Sequence, residues 1–421
     1  MPSQGVLTVV SSQRTANLDL PGLVIAPRPG PGPLADDLPW ASGLRLTSDA
    51  RTLVDNVAIS RGRGGKIART LSRAELEDWL VRKSQTRPDG WFADLRGRAS
   101  EICDELGVSE RRALVEDVIG AAAGTRSVRS GVGLLLAARA AGQEYDPDRI
   151  VRLDQLADFL VAIPAGLDVP SEMPAGPDDH TTSLPFFEAY FSNFIEGTEF
   201  SVDEAEAIVE TGDIPQGRPA DAHDVLGTYE AVRDPGLRGE VPSTVDEFFA
   251  LLERRHRLIM SGRSDKRPGL FKVDPNQAGS YVFVAPSLVE GTLREGFRRL
   301  ADLPPGFPRA LFELFLITEV HPYDDGNGRV ARAAMGAQLT AAGQTRIVVP
   351  IVFRNEYQTA LRSVSRDGRA ELYARTLAYV WRWTAAMPWH DRGAVDGYLA
   401  ATNALIDSTD AERTAVQLEL P

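Results

Sequence analysis

Hydrophobic positions along this chain recur mostly at helical spacing, and one run is apolar on nearly every face. Residues 310–320, ALFELFLITEV, put apolar side chains all round a helical cylinder, so this segment is expected to be a buried helix. Ala74, Leu76, Trp79 and Leu80 follow at helical spacing behind a Ser72/Glu75 capping box, which predicts another helix. Ser201 with Glu204 predicts a third start of the same kind. One stretch breaks the pattern. Residues 277–286, QAGSYVFVAP, are rich in β-formers and follow the turn-forming Asp274-Pro275-Asn276.

Proline and glycine punctuate the helical pattern. Residues 1–39 read as an N-terminal segment whose 21–39 portion is an exposed Pro/Gly-rich connector. Residues 40–163 read as a mostly helical domain of uncertain fold with a regulatory role. Residues 164–183, with Pro164, Pro170, Pro174 and Pro177, read as a linker. A second helical domain spans 184–387, and 388–421 reads as a polar tail. No internal repeat is present.

Composition narrows the functional classes. At 43% hydrophobic and 25% charged over 421 residues, this is the make-up of a folded protein. The 46 basic and 59 acidic residues leave a formal charge of −13, which argues against nucleic-acid binding by the chain as a whole. The longest apolar run, 131–138, ends at Arg139 and is too short to span a membrane. No basic residue precedes Arg14 and no long apolar core follows it, so no secretory leader is expected and the protein is expected to be cytoplasmic. Cys103 stands alone, and His180, His223, His256, His321 and His390 are scattered, which excludes a disulfide framework and the usual zinc motifs.

The chemistry concentrates at 321–332, HPYDDGNGRVAR. Pro322 cannot continue the preceding helix, so His321 falls at its C-terminal end. Gly326 and Gly328 permit backbone conformations that aim successive N–H groups, Asn327 included, into one concavity. A new helix is expected from about Arg329 to Gly343, its positive end facing that concavity. Arg329 and Arg332 share a helical face and can reach one anion. Asp325 offers an oxygen beside it, as Mg2+ bound to phosphate requires. His321 is the group that can take a proton near neutral pH. These residues read as a nucleotide-phosphate cradle with a metal site and a general base.

The segment resembles the Fic family signature HPFx(D/E)GNGRxxR, with Tyr323 in place of phenylalanine. The resemblance implies a mainly α protein: an all-helical Fic core carrying a small β-hairpin flap. It implies transfer of AMP from ATP to a hydroxyl of a target protein, with self-modification as one form of it. In that scheme His321 is the base, Asp325 the Mg2+ ligand, Gly326, Asn327 and Gly328 the anion hole, and Arg329 and Arg332 the triphosphate clamps. The related Doc toxins carry lysine where this chain has Gly328. The resemblance further implies that Tyr281, Val282 and Phe283 form the flap that pairs with the target backbone. Residues 354–361, RNEYQTAL, resemble the segment that follows the Fic core. Tyr357 is there either an adenine-stacking ring or a core tyrosine. Residues 192–197, SNFIEG, match the family's inhibitory pattern (S/T)xxxE(G/N) upstream of the motif. That match implies Glu196 paired with Arg332 as a brake, and Ser192, one turn earlier, holding the register. Some relatives use this glutamate in removing AMP.

Two features of the N-terminal part stand apart. Residues 60–73 carry five basic residues and no acid, either a solvated loop or a contact for nucleic-acid phosphates. Residues 44–55 resemble a segment of bacterial antitoxin-type transcriptional regulators. The readings that compete with AMP transfer are therefore a Fic enzyme using another donor, such as UMP or phosphocholine, and a nucleotide-sensing DNA-binding regulator.

Overall fold

The computed structural model describes residues 6–11, 16–20, 23–40, 43–60, 69–84, 87–88, 90–123, 144–174, 182–279 and 281–420. The apolar run 131–138, His180 and residues 61–68 of the basic stretch lie outside them. Sixteen α-helices and a few short strands make the described residues mainly α. The chain divides into two compact units, Met1–Gln143 and Glu144–Pro421.

The first unit begins with strands rather than a bare connector. β1 (Val6–Val10), β2 (Leu18–Leu20) and β3 (Leu23–Arg28) form a sheet in the order β1-β3-β2, with β1 parallel and β2 antiparallel to β3. Val24 and Ile25, inside the expected connector, pair because β-branched residues suit a pleated strand better than a loop. A small ladder joins β4 (Leu38–Pro39) to β5 (Arg45–Leu46). Among the described residues four helices follow: α1 (Asp49–Asn56), α2 (Arg73–Ser84), α3 (Trp91–Glu105) and α4 (Arg112–Ala122). Leu53, Leu80, Ile102 and Ile119 meet in their core. The Ser72/Glu75 box forms in both directions, 3.2 Å from Glu75 N–H to Ser72 Oγ and 2.7 Å from Ser72 N–H to Glu75 Oε2.

The described residues of the second unit form twelve helices around one core. The first, α5 (Pro147–Val161), lies ahead of the expected boundary at 164–183, yet it belongs here. Ile150, Leu153, Leu156 and Leu160 form one stripe, and all four are buried in the second unit's core. Proline density marks a bend, whereas a domain boundary is set by which core a stripe joins. Then come α6 (Leu184–Ile195), α7 (Val202–Thr211), α8 (Pro219–Arg233) and α9 (Val245–Ile259). The hairpin β6 (Gln277–Ala278) and β7 (Tyr281–Val282) precedes α10 (Val289–Asp302), α11 (Phe307–Val320) and α12 (Asn327–Ala341). Last are α13 (Arg354–Asp367), α14 (Ala370–Ala386), α15 (Arg392–Ala401) and α16 (Ser408–Thr414). α11 is buried along its length, as an all-round apolar run requires; Leu311, Phe312, Leu314, Leu316 and Ile317 are inaccessible.

The C-terminal segment is no solvated tail. Trp389, Val395, Leu399, Ala404, Ala411 and Leu418 are part of the core, and the Trp389 indole N–H donates to the Thr384 carbonyl at 2.8 Å. These six buried positions fall within residues 389–418, where exposed apolar and charged residues are interspersed, so no single apolar face stands out in the sequence.

Candidate active site

α11 ends where proline forbids its continuation. His321 caps it with φ of +54°, and its N–H still donates to the Ile317 carbonyl at 2.9 Å. A left-handed conformation is costly for a residue with a Cβ, so the fold holds this histidine in place against strain. Its ring stacks on Phe283, centroids 3.8 Å apart and planes 9° from parallel. Nδ1 lies 3.3 Å from the Thr318 carbonyl, which only accepts; Nδ1 therefore bears the hydrogen and Nε2 carries the free lone pair. Burial, with the nearby Lys272 charge adding, lowers the pKa to about 4, so the imidazole is neutral at pH 7.

The loop that follows is stapled at several points. Asn327 Oδ1 accepts from Tyr323 N–H at 2.8 Å while its Nδ2 donates to the Tyr323 carbonyl at 3.0 Å. Asn276 Nδ2 donates to the same carbonyl at 3.0 Å. Under the loop, His256 stacks on Tyr323 at 3.6 Å and 5°. Its Nδ1 accepts from Gly269 N–H at 2.8 Å, which leaves Nε2–H to donate to the Asp325 carbonyl at 3.1 Å. Gly326 takes φ of +75° to open α12, and a Cβ there would lie 2.7 Å from Met260 Sδ. α12 thus starts at Asn327, earlier than expected. The Asn327 side chain is spent on the loop, and only its backbone remains for an anion. Tyr323, standing where the Fic signature has phenylalanine, is buried with its hydroxyl unpartnered among the described residues.

Arg332 and Arg329 behave differently. Arg332 Nη2 donates to Glu196 Oε1 at 2.6 Å and to the Ser192 carbonyl at 2.9 Å, while Nε donates to Ser192 Oγ at 2.9 Å. Ser192 therefore binds the guanidinium directly. Burial would raise the Glu196 carboxyl, but Arg332, with Arg329 and His321 adding, holds it below the usual carboxylate range. Its side chain stays 35% exposed, against 7% for Arg332, so the carboxylate faces open space. It covers Gly328: a Cβ built on that glycine would overlap Glu196 Oε1. Arg329 is instead committed to buried Asp224, Nη1 to Oδ2 at 2.7 Å, with a second contact to Asp325 Oδ1 at 3.3 Å.

A cavity of about 520 Å³ opens between these groups and the flap. His321, Gly328, Arg332 and Glu196 line it, with Tyr281 and Phe283 from the flap side and Tyr357 from α13. Asp325, Gly326, Asn327 and Arg329 do not. Tyr357 is 1% exposed, as a core tyrosine would be, and it also forms part of the cavity wall, with its hydroxyl beside the Arg332 guanidinium. Val282 turns its carbonyl to Arg149, and Tyr281 donates to Glu319 Oε1 at 2.5 Å. Asp325 Oδ1 accepts from Gly326 N–H at 2.6 Å. Oδ2 lies 4.0 Å from Arg263 on a side chain 39% exposed, so one carboxylate oxygen is accessible to a cation. Among the described residues no cluster of three or more acidic, histidine or cysteine side chains could hold a metal. A cation bound mainly by phosphates needs only one carboxylate.

Sequence reading missed Arg149, Arg152, Asp224, His256, Lys272 and Glu319. Glu319 lies inside the apolar run just before His321, and the others are isolated polar residues that tertiary packing brings to the site from other elements. Lys272 is the clearest case. Burial, with Arg149 adding, lowers its pKa to about 7, and Nζ donates to Asn276 Oδ1 at 2.7 Å.

Residues 249–339 match the model of the Fic/DOC family, a segment running from α9 to α12 through the hairpin and the loop. The chain carries a Fic/DOC domain. Over 269 residues it is 25% identical to a protein adenylyltransferase Fic of Nematostella vectensis, covering 62% of this chain and 58% of that one. Over 249 residues it is 23% identical to the protein adenylyltransferase fic-1 of Caenorhabditis elegans, covering 56% and 46%. The chain thus spans about half the length of the curated relatives it matches. Among solved structures it is similar to C. elegans Fic-1 (residues 134–508), at 19% identity and TM-score 0.40, covering 78% of this chain and 93% of that one. It is also similar to a Fic-domain signalling protein of Bacteroides thetaiotaomicron, at 17% identity and TM-score 0.41, covering 58% and 97%.

Proposed function

We propose that this chain is a protein adenylyltransferase held in check by Glu196. The observation that carries the reading is the Glu196–Arg332 contact of 2.6 Å, made over Gly328 and inside the cavity that His321 lines. An acidic group sits where an N-terminal helix end and a buried arginine would otherwise attract an anion. A nucleotide phosphate is an anion of the chemistry that site would take. The names of the relatives support an adenylyl donor.

In this reading ATP lies in the cavity with its phosphates over the start of α12. A target hydroxyl attacks the α-phosphorus, its proton passes to His321 Nε2, the new phosphodiester forms, and pyrophosphate leaves. A neutral imidazole with Nδ1–H committed to Thr318 is in the right state for that task. Asp325 would hold Mg2+ through Oδ2, and the bound ion would neutralise phosphate charge. Arg332 reaches the terminal phosphates only once Glu196 releases it. Arg329, tied to Asp224, shapes the loop and adds positive potential behind it.

The test is label transfer from α-32P-ATP by the parent protein, Glu196→Gly, and Glu196→Gly with His321→Ala. Transfer in the single variant that disappears in the double is the expected result. Absence of label in all three, with ATP still bound, would point to another donor.

A further inference from the structure

The flap is gripped by a residue far outside the matched segment. Gln277 pairs with Val282 and Ala278 with Tyr281, antiparallel. The Phe283 N–H donates to the Asn276 carbonyl at 3.2 Å, toward the first strand. Across a trans peptide the carbonyl and the following N–H point in opposite directions, so the Val282 carbonyl faces away from that strand. Arg149 fills this outer edge: Nη2 donates to the Val282 carbonyl at 2.5 Å. Its Nη1 donates to Tyr281 Oη at 2.5 Å and to Glu319 Oε1 at 2.9 Å. Arg152 repeats the last contact at 2.9 Å, and Ser365 Oγ donates to Glu319 Oε2 at 2.6 Å. The Arg149 and Glu319 side chains are 6% and 1% exposed, so the grip is dry. Glu319 stands two residues before His321 on the same helix, which ties the flap's height to the imidazole.

We propose that Arg149 is a positioning residue that fixes the flap over His321 and blocks the outer edge of Tyr281–Val282, so that an extended target segment adds to the Gln277–Ala278 edge. Both residues of that edge are exposed. The Asn276 carbonyl points inward to Phe283, so the Gln277 N–H, across the same peptide, points outward; the Gln277 carbonyl, in an extended strand, points with it. Among the described residues that donor and acceptor have no partner, and they can pair with one residue of a polypeptide in β conformation. The partner is an extended, hydroxyl-bearing chain segment, and the self-labelled protein is its available example. The inference rests on the adenylyltransferase reading for the partner's hydroxyl and for the activity readout, and the Arg149 grip stands apart from it.

The experiment compares Arg149→Met, Arg149→Lys and Gln277→Pro in the Glu196→Gly background, by amide hydrogen exchange and by self-labelling from α-32P-ATP. Arg149→Met is expected to speed exchange in peptides covering 276–283 and leave 321–328 unchanged. Arg149→Lys keeps a cation near Glu319 without the planar fork, and is expected to restore part of the protection. Self-labelling is expected to fall about tenfold or more in Arg149→Met and Gln277→Pro, with ATP affinity held within about twofold, because misplacing a docked hydroxyl costs rate and not nucleotide binding. Unchanged flap exchange in Arg149→Met, or background-level labelling by Gln277→Pro, would overturn the proposal. If Arg149→Met fails to fold, Arg149→Lys against its background decides the same question. If Glu196→Gly transfers no label, the functional reading fails, and the exchange comparison still decides the grip.

Discussion

Replacing Glu196 with glycine removes one of three hydrogen bonds on Arg332 and the charge facing it. A charge-assisted contact of this kind is worth about 1.5–3 kcal/mol. The carboxylate is 35% exposed, so solvent screens part of the attraction. A net figure of about 2 kcal/mol follows, and at about 1.4 kcal/mol per decade it predicts a roughly thirtyfold faster transfer. Arg332 keeps its place, because Ser192 still accepts from it through Oγ and the carbonyl at 2.9 Å each. The assay is the initial rate of label incorporation from α-32P-ATP at saturating nucleotide, with ATP affinity measured alongside. Affinity should change less than rate, because the carboxylate opposes the productive placement of the terminal phosphates more than occupancy of the cavity. A rate within about threefold of the parent, with affinity unchanged, would refute the claim that this ion pair limits activity.

Asp224→Asn strips the charge opposite buried Arg329 and should cost about 3 kcal/mol of stability, read as a lower denaturation midpoint in urea. His256, held neutral by burial with a pKa of about 4, should make the fold acid-sensitive. Below pH 6.5 the unfolded chain takes up a proton that the folded chain refuses until about pH 4, so stability is present at pH 7 and drains away through that window. His256→Gln should therefore lose about 2 kcal/mol less than the parent between pH 7 and pH 5 in denaturant titrations, the His321 contribution remaining in both. Tyr323→Phe removes a buried hydroxyl that has no partner among the described residues; it should be neutral or stabilising by about 1 kcal/mol in thermal melts, with transfer intact.

Local signals carried the loop that follows His321. Pro322 cannot continue the helix that precedes it, Gly326 admits a positive φ, and Asn327 sits four residues from the backbone groups of Tyr323 that it bridges. Those constraints act within one turn of chain and leave a readable pattern. The hairpin was legible for the same reason, as was the capping box that starts α7. The domain boundary and the C-terminal helices were not. Whether the α5 stripe serves one core or another, and which of the apolar residues after Met387 find a surface to cover, depends on partners far along the chain.

By itself, then, the sequence determined the loop that begins at His321, the arginine-bearing helix behind it and the mainly helical architecture. Tertiary structure decided which arginine faces the cavity. Arg329 and Arg332 are alike in sequence, but buried Asp224 draws one away while Ser192 and Glu196 hold the other at the cavity wall. It also decided that Arg149, from 172 residues before His321 in sequence, grips the flap. The physical reason is that a charge's role is set by the partner that compensates its burial, and that partner is chosen by packing rather than by spacing.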